Sequence, residues 1–226
     1  MKRSEINRYI QEGMDMCRRY GFGLPPFAFW TPEEWQTRGH AYDEIRDCAL
    51  GWDVTDFGAG RYAELGLSLF TVRNGNLALE RYRKAYCQKL LFVGEGQVSP
   101  CHFHFAKMED IICHAGGNLL IQVHNAEESG GLDPGPVTVM TDGYWHEVPA
   151  GTVLRFEPGQ SITLPQRQYH SLWAEGGPSL VMEVSSINDD RTDNHRFLEN
   201  LPRFPGIEED EPARYLLCTE YPRAPQ

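Results

Sequence analysis

The chain has 226 residues and a formal net charge of −11, from 21 Lys and Arg against 32 Asp and Glu. This length suits one large domain or two small ones, and 41% hydrophobic with 23% charged residues is typical of a folded globular protein. The acidic balance argues against nonspecific nucleic-acid binding, which needs a basic face, and the apolar runs are too short to span a membrane.

The first residues carry charge with no apolar stretch behind them, which argues against a secretory signal. The six cysteines are scattered, with no C-x-x-C pair. In a chain of this size that pattern indicates reduced thiols, so we expect a cytoplasmic protein.

Residues 1–60 are predicted to form a helical arm. Apolar residues recur every three or four positions from Ile6 to Cys17, with Ser4 as a cap. Thr31, followed by Pro32 and two acidic residues, predicts the start of a second, short helix.

From residue 61 onwards the pattern changes to short strands separated by Gly, Pro and Asp-Gly turns. Asn74-Gly75 is a strong hairpin signal, and residues 208–211 are interpreted as a solvated acidic loop. Short strands with little helix between them predict one all-β barrel or sandwich over residues 61–226, including a C-terminal tail. The predicted strands are 65–73, 86–93, 102–105, 110–113, 119–124, 137–140, 145–148, 152–156, 170–173 and 180–184.

The most informative stretch contains His102 and His104, which share one face of a strand because they are two residues apart. Glu109 is five residues further on and reaches that face only if the chain turns between Phe105 and Met108. Two imidazoles and a carboxylate are most of a metal site. A His-x-His pair alone is more often a surface or core feature, but Gly96 and Gly116 at both ends strengthen the metal interpretation.

A second segment runs from Gly159 through Pro165 to His170, which supplies a fourth ligand on a new strand. Together the two stretches resemble the paired motifs of the cupin superfamily, G(X)5HXH(X)4E(X)6G and G(X)5PXG(X)2H(X)3N. The second motif departs at Arg167, in place of Gly, and at Ala174, in place of Asn. The resemblance implies a cupin jelly-roll β-barrel holding a metal at His102, His104, Glu109 and His170.

Several other polar residues have both structural and functional interpretations. Lys107 is either a solvent-facing turn residue or a cation that stabilises a developing oxyanion. Glu183 lies in an apolar strand and either faces solvent or faces the barrel interior as a proton-transfer base. Asp190 and Arg191 either form a polar turn or reach over the barrel mouth to bind substrate hydroxyls.

Residue spacing does not fix the metal, because three imidazoles and a carboxylate suit Mn, Fe, Zn, Co or Ni. A metal that polarises a carbonyl and its neighbouring hydroxyl, flanked by carboxylates, suits proton transfer between adjacent carbons. This is the chemistry of aldose–ketose isomerisation through a cis-enediol.

Three segments closely resemble the D-lyxose isomerases, which are cupin-type sugar isomerases of this length. They are 21–30 (GFGLPPFAFW), 102–110 (HFHFAKMED) and 184–190 (VSSINDD). The resemblance implies a Mn2+-dependent homodimer that interconverts D-lyxose with D-xylulose and D-mannose with D-fructose. It also implies that Glu109 and Glu183 transfer protons and that Lys107 and Arg191 contact substrate.

Two other functions compete with this one. An iron-dependent cupin dioxygenase has the same ligands but favours an apolar interior, and a non-catalytic sugar-binding cupin binds ligand without turnover. The environment of Lys107 and Glu183 discriminates between the first of these and an isomerase.

Overall fold

The computed structural model describes residues 1–190, 196–197, 199 and 201–225. The helices are α1 (Arg3–Arg19), α2 (Pro32–Gln36) and α3 (Asp43–Asp47), with 3₁₀-helices at Pro26–Phe29 and His40–Tyr42. The strands are β1 (Gly51–Thr55), β2 (Leu67–Arg73), β3 (Tyr86–Val93), β4 (Ser99–Phe103), β5 (Glu109–Ala126), β6 (Leu132–Asp133), β7 (Val137–Thr141), β8 (Tyr144–Val148), β9 (Val153–Phe156), β10 (Ser161–Leu164), β11 (Gln168–Ser186) and β12 (Arg196–Phe197). The predicted all-β fold with N-terminal helices is therefore confirmed.

Two long strands, β5 and β11, hold the molecule together. They pair antiparallel along most of their length, and the register shifts between Glu175 and Ser179. Beyond this irregularity β11 pairs with β3, which continues through β2 to β1, while its first half pairs with β4. Similarly, β5 pairs first with β10 and later with β9. Each long strand therefore changes neighbours along its length within one described 12-stranded sheet, as expected for a sheet that closes into a jelly-roll barrel.

Strands β2 and β3 bury both of their faces. One face of β2 and β3 points into the barrel with Leu69 and Leu91, and the other packs against α1 with Phe70 and Phe92. This explains why β3 is apolar at consecutive positions rather than at alternate ones. Gly13 lets α1 approach closely, because a Cβ there would lie 3.1 Å from the Phe92 ring.

The predicted helices form, with one difference at the start of α1. Thr31 caps α2, as the sequence predicts, and the Glu34 side chain completes a reciprocal cap. Ser4 is not the cap of α1, because Lys2 holds that position and Ser4 instead donates two hydrogen bonds to the Asp210 carboxylate (2.9 and 2.7 Å). The described helices include none that is long and apolar enough to cross a membrane.

The acidic run at residues 208–211 is largely exposed, as its composition predicts, but it also binds the start of α1. Glu209 pairs with Arg3, Asp210 binds Ser4, and Glu211 accepts from the Asn7 side chain at 2.6 Å. These carboxylates lie at the N-terminus of α1, where the helix dipole favours negative charge. The run therefore fastens α1 to the C-terminal segment.

Two further expectations differ from the structure. Residues 51–55, inside the predicted helical arm, form β1 and pair with β2. The hairpin predicted at Asn74-Gly75 is wrong, because β3 begins only at Tyr86. Asn74 instead binds distant backbone, exchanging hydrogen bonds with Asn188 (2.8 and 3.1 Å) and donating to the Cys48 carbonyl. A turn-forming residue type is here used for a long-range contact.

Candidate metal centre and its cavity

Three histidines converge inside the barrel. His102 lies on β4, His104 follows the end of that strand, and His170 lies on β11 directly opposite His102 in the β4–β11 register. Their ligand atoms all lie within 4.8 Å of one another. His104 and His170 are buried, and His102 is partly exposed.

Backbone carbonyls set the tautomers of two of these imidazoles. His102 Nδ1 donates to the Pro100 carbonyl at 2.7 Å, and His170 Nδ1 donates to the Gln168 carbonyl at 3.1 Å. Because a carbonyl only accepts, the proton of each neutral ring is on Nδ1 and the lone pair is on Nε2. Burial, followed by the nearby Lys107 ammonium, lowers the pKa of His104 well below its ordinary value. Neutral imidazoles of this kind are the form that binds metals.

Glu109 joins the histidines because the chain turns between Phe103 and the first residue of β5. Its Oε1 lies 3.1 Å from His170 Nε2 and 3.6 Å from His104 Nε2. Burial alone would raise the pKa of this carboxyl. The Lys107 ammonium outweighs that effect and holds the pKa well below its usual range. Glu109 is therefore an anion beside the histidines.

Lys107 is buried, so the interpretation as a solvent-facing turn residue is wrong. Its Nζ lies 2.6 Å from Glu109 Oε2 and 2.8 Å from Glu183 Oε1. Burial would lower the pKa of Lys107, but the two carboxylates more than offset it and raise the pKa above its ordinary value. One ammonium thus bridges the two carboxylates.

Glu183 faces the barrel interior, where its side chain is 6% exposed and lines the same cavity as the histidines. It is on β11, opposite Ile111 of β5 and Lys89 of β3. The structure therefore brings Glu183, Lys107, Glu109 and the histidines together around one cavity.

The turn that delivers His170 forms despite the departure from the cupin motif. Arg167 has a φ of 62°, the left-handed conformation that glycine adopts easily. Its N–H donates to the His104 carbonyl at 2.9 Å, and its guanidinium donates to the Glu127 carbonyl at 2.7 Å. The arginine therefore adopts the backbone conformation that the motif assigns to glycine.

Of the two residues expected at the barrel mouth, Asp190 lines the cavity, whereas Arg191 lies outside the described residues. Oδ2 of Asp190 lies 3.4 Å from Nη2 of Arg203, and Arg203 also forms an ion pair with Asp53. The Nη1 of Arg203 is buried without a hydrogen-bond partner among the described residues. A cationic donor left in this state at a cavity wall is suited to a polar ligand.

Sequence reasoning missed Arg203, Lys89 and Asn188 in this cavity. The position of Lys89 could have been predicted from the sequence, because residues 89, 91 and 93 alternate along the strand and so share one face with the core residues Leu91 and Val93. Arg203 had no such pattern, since it comes from a proline-containing segment far from either motif.

The donor set fits a divalent metal. His102, His104 and His170 offer nitrogens, Glu109 offers an anionic oxygen, and the described part of the chain contributes no thiolate. The Nδ1 atoms of His102 and His170 donate to backbone carbonyls, which orients the two rings, as is usual for metal-binding histidines. A jelly-roll barrel whose interior holds this set defines a cupin-type protein with a candidate metal centre.

Comparison with known proteins narrows this class. The family model described as D-lyxose isomerase matches residues 1–221. The D-lyxose/D-mannose isomerase of Serratia proteamaculans is 46% identical over 226 residues, covering 99% of both chains. That of Escherichia coli O157:H7 is 46% identical over 224 residues, 98% of both. The chain therefore belongs to the D-lyxose isomerase family and is a sugar isomerase.

Solved structures show the same fold at low sequence identity. L-ribose isomerase of Acinetobacter sp. DL28 in complex with L-ribose matches with a TM-score of 0.57 at 16% identity, covering 88% of this chain and 93% of that one. L-ribose isomerase of Geodermatophilus obscurus matches with a TM-score of 0.57 at 15% identity, covering 92% and 98%.

Proposed function

We propose that this sugar isomerase is manganese-dependent and interconverts D-lyxose with D-xylulose and D-mannose with D-fructose. The observation that carries the proposal is the pair of buried carboxylates, Glu109 and Glu183, bridged by Lys107 beside three imidazoles. The substrates are proposed from the two relatives of nearly full length, whose names specify D-lyxose and D-mannose.

The reaction needs only proton movement. One proton moves from C-2 to C-1, and another moves from the C-2 hydroxyl to the carbonyl oxygen, so no electron acceptor is needed. His102, His104, His170 and Glu109 would hold the divalent cation, which when bound supplies Lewis acidity to the two sugar oxygens.

Glu183 is the proposed base that takes the C-2 proton, giving a cis-enediol, and returns it to C-1. Lys107 lies between both carboxylates, where it keeps Glu109 anionic and offers a positive charge to a developing oxyanion. Asp190 and Arg203 are proposed to bind sugar hydroxyls at the cavity wall. The sequence predicts this role for Asp190 and Arg191.

The lining of the cavity distinguishes the competing functions. Lys89, Lys107, Glu183, Asn188 and Arg203 all line it. A dioxygenase for an aromatic or thiol substrate would favour an apolar wall, whereas a sugar with several hydroxyls needs donors and acceptors. Apolar residues such as Leu69 and Ile111 also line the cavity, but the charged and polar groups among them support the isomerase over the dioxygenase.

One experiment tests the proposal against both alternatives. Purified protein is incubated with Mn2+ and D-lyxose under nitrogen, and D-xylulose is measured, with EDTA-treated protein as the control. Ketose formed without oxygen, and lost with the metal, supports the proposal. Absence of ketose from a panel of pentoses and hexoses refutes it, and sugar binding without turnover indicates the non-catalytic cupin.

The proposal extends to a cytoplasmic homodimer. The resemblance to the D-lyxose isomerases favours the dimer, and six cysteines that form no disulfide suit a reducing compartment. Sedimentation equilibrium tests the proposed dimer, since a monomer mass at micromolar concentration would contradict it.

A further inference from the structure

Lys89 is a buried cation that the reaction scheme leaves without a role. It lies on the inward face of β3, is 6% exposed and stands directly opposite Glu183 in the β3–β11 register. Burying an ammonium is costly unless it is paired, so its partners indicate what it does.

The two oxygens of Glu183 have unequal environments. Oε1 accepts from Lys107 Nζ at 2.8 Å and from Lys89 Nζ at 3.1 Å. The Ser185 hydroxyl lies 3.2 Å from Oε1, but its one hydrogen also has the Ser186 carbonyl within 2.8 Å. Oε2 receives one long contact from the described residues, 3.4 Å from Lys89 Nζ. Two ammonium donors therefore occupy Oε1, and Oε2 retains the lone pairs best placed to take a proton.

The two lysines reach the carboxylate from different elements. Lys107 belongs to the turn before β5, and Lys89 belongs to β3 on the other side of β11. A carboxylate held by one cation can rotate about its Cγ–Cδ bond and exchange its oxygens. Two cations on the same oxygen, from two directions, oppose that rotation and fix which oxygen faces the substrate.

Lys89 is itself held in place. Its Nζ donates to Asn188 Oδ1 at 2.8 Å, and Lys107 Nζ approaches the same atom at 3.4 Å. The backbone of Asn188 exchanges two hydrogen bonds with the Asn74 side chain. The ammonium of Lys89 therefore has a defined position relative to Glu183.

We propose that Lys89 is a positioning residue for the isomerisation: with Lys107 it fixes the Glu183 carboxylate through Oε1, so that Oε2 exchanges the proton with the sugar carbons. This inference rests on the proposed function. Lys89 is separable from the metal centre, because among the described residues it makes no hydrogen bond or ion pair to the three histidines or to Glu109, whereas Lys107 does contact Glu109.

The test compares the wild-type protein with Lys89→Met, loaded with Mn2+, using D-lyxose and C-2-deuterated D-lyxose. We expect kcat to fall about 10²-fold, since a misdirected base transfers protons poorly. KM should change by less than about threefold and metal content should stay at the wild-type value. The deuterium isotope effect on kcat should be at least as large as in the wild type, because proton abstraction is the slowed step.

A matched control is Lys84→Met, which removes a half-exposed lysine paired with Glu44 shortly before β3. This variant should keep wild-type kinetics. If Lys89→Met does not fold, Lys89→Gln removes the positive charge and shortens the side chain while keeping a polar group, and it is measured with the same expectations.

Three results would overturn the inference: a kcat within about threefold of the wild type, a loss that accompanies loss of metal or substrate binding, or disappearance of the isotope effect. The first shows that Lys89 is dispensable, and the other two place its effect outside proton transfer. A wild-type protein that forms no ketose overturns the proposed function itself, so the two failures are distinguishable.

Discussion

The turn at Arg167 allows backbone strain to be measured next to the candidate metal centre. The residue has a φ of 62°, a conformation that costs a non-glycine residue about 1–2 kcal/mol. Replacing Arg167 by Gly removes this strain, whereas replacing it by Ala keeps it. Both changes remove the side-chain contacts, so the comparison of the two variants isolates the backbone contribution.

The contacts of the Arg167 side chain determine how much each substitution should change the free energy of unfolding. The guanidinium donates to the Glu127 carbonyl at 2.7 Å and lies 5.5 Å from the centre of the Phe103 ring. At an exposed site these contacts contribute about 1–2 kcal/mol, so Arg167→Ala should lower the free energy of unfolding by that amount. In Arg167→Gly the relieved strain, less the greater flexibility of glycine in the unfolded chain, should restore about 0.5–1 kcal/mol. The Gly variant should melt about 1–4 °C above the Ala variant.

Thermal unfolding of both variants, followed by circular dichroism with and without Mn2+, measures this difference. A matched pair at the neighbouring residue, Gln166→Gly and Gln166→Ala, should show the opposite order, because the φ of Gln166 is not in the left-handed region. An Ala variant at position 167 that is as stable as the Gly variant would refute the reasoning.

Three further predictions concern the site and the N-terminal helix. Glu183→Gln should retain metal and sugar binding but lose about 10²-fold or more in kcat, measured beside metal content, and wild-type turnover would remove Glu183 from the reaction. Arg203→Met should raise KM for D-lyxose by about 10-fold or more with unchanged metal content, because a buried charged donor is lost from the cavity wall, and an unchanged KM would contradict its role in binding. Arg3→Met should lower the free energy of unfolding in urea by about 2 kcal/mol, since its partners Glu209 and Glu220 are partly hydrated, and unaltered stability would show that these ion pairs add nothing.

The part of the site that sequence predicts best is the part encoded locally. His104 directly follows the strand that carries His102, and a single turn adds Glu109, so all three come from one short stretch of chain. His170 is distant along the chain, but the resemblance to the cupin motifs supplied its place. The barrel was also predictable, because frequent turns between short strands leave few other folds.

Features that depend on distant segments were not predictable in this way. Arg203 reaches the cavity through the packing of a segment with no motif, and its ion pairs with Asp53 and Asp190 join residues that no local pattern relates. The pair Asn74-Gly75 is typical of a hairpin turn, yet the Asn74 side chain forms hydrogen bonds with the backbone of Asn188. In both cases tertiary contacts decide the role of a residue whose local signal is neutral or misleading.

The fastening of α1 by the acidic run at residues 208–211 affects the order in which the protein can assemble during synthesis. Asn7 and Glu211 are 204 positions apart, and the other contacts of this cluster have similar separations. On the ribosome, α1 emerges long before its carboxylate partners, and its apolar face needs β2 and β3 as well. Contacts of such long range slow folding, so we expect the nascent N-terminal helix to be exposed to chaperones until the segment around residue 210 has been translated.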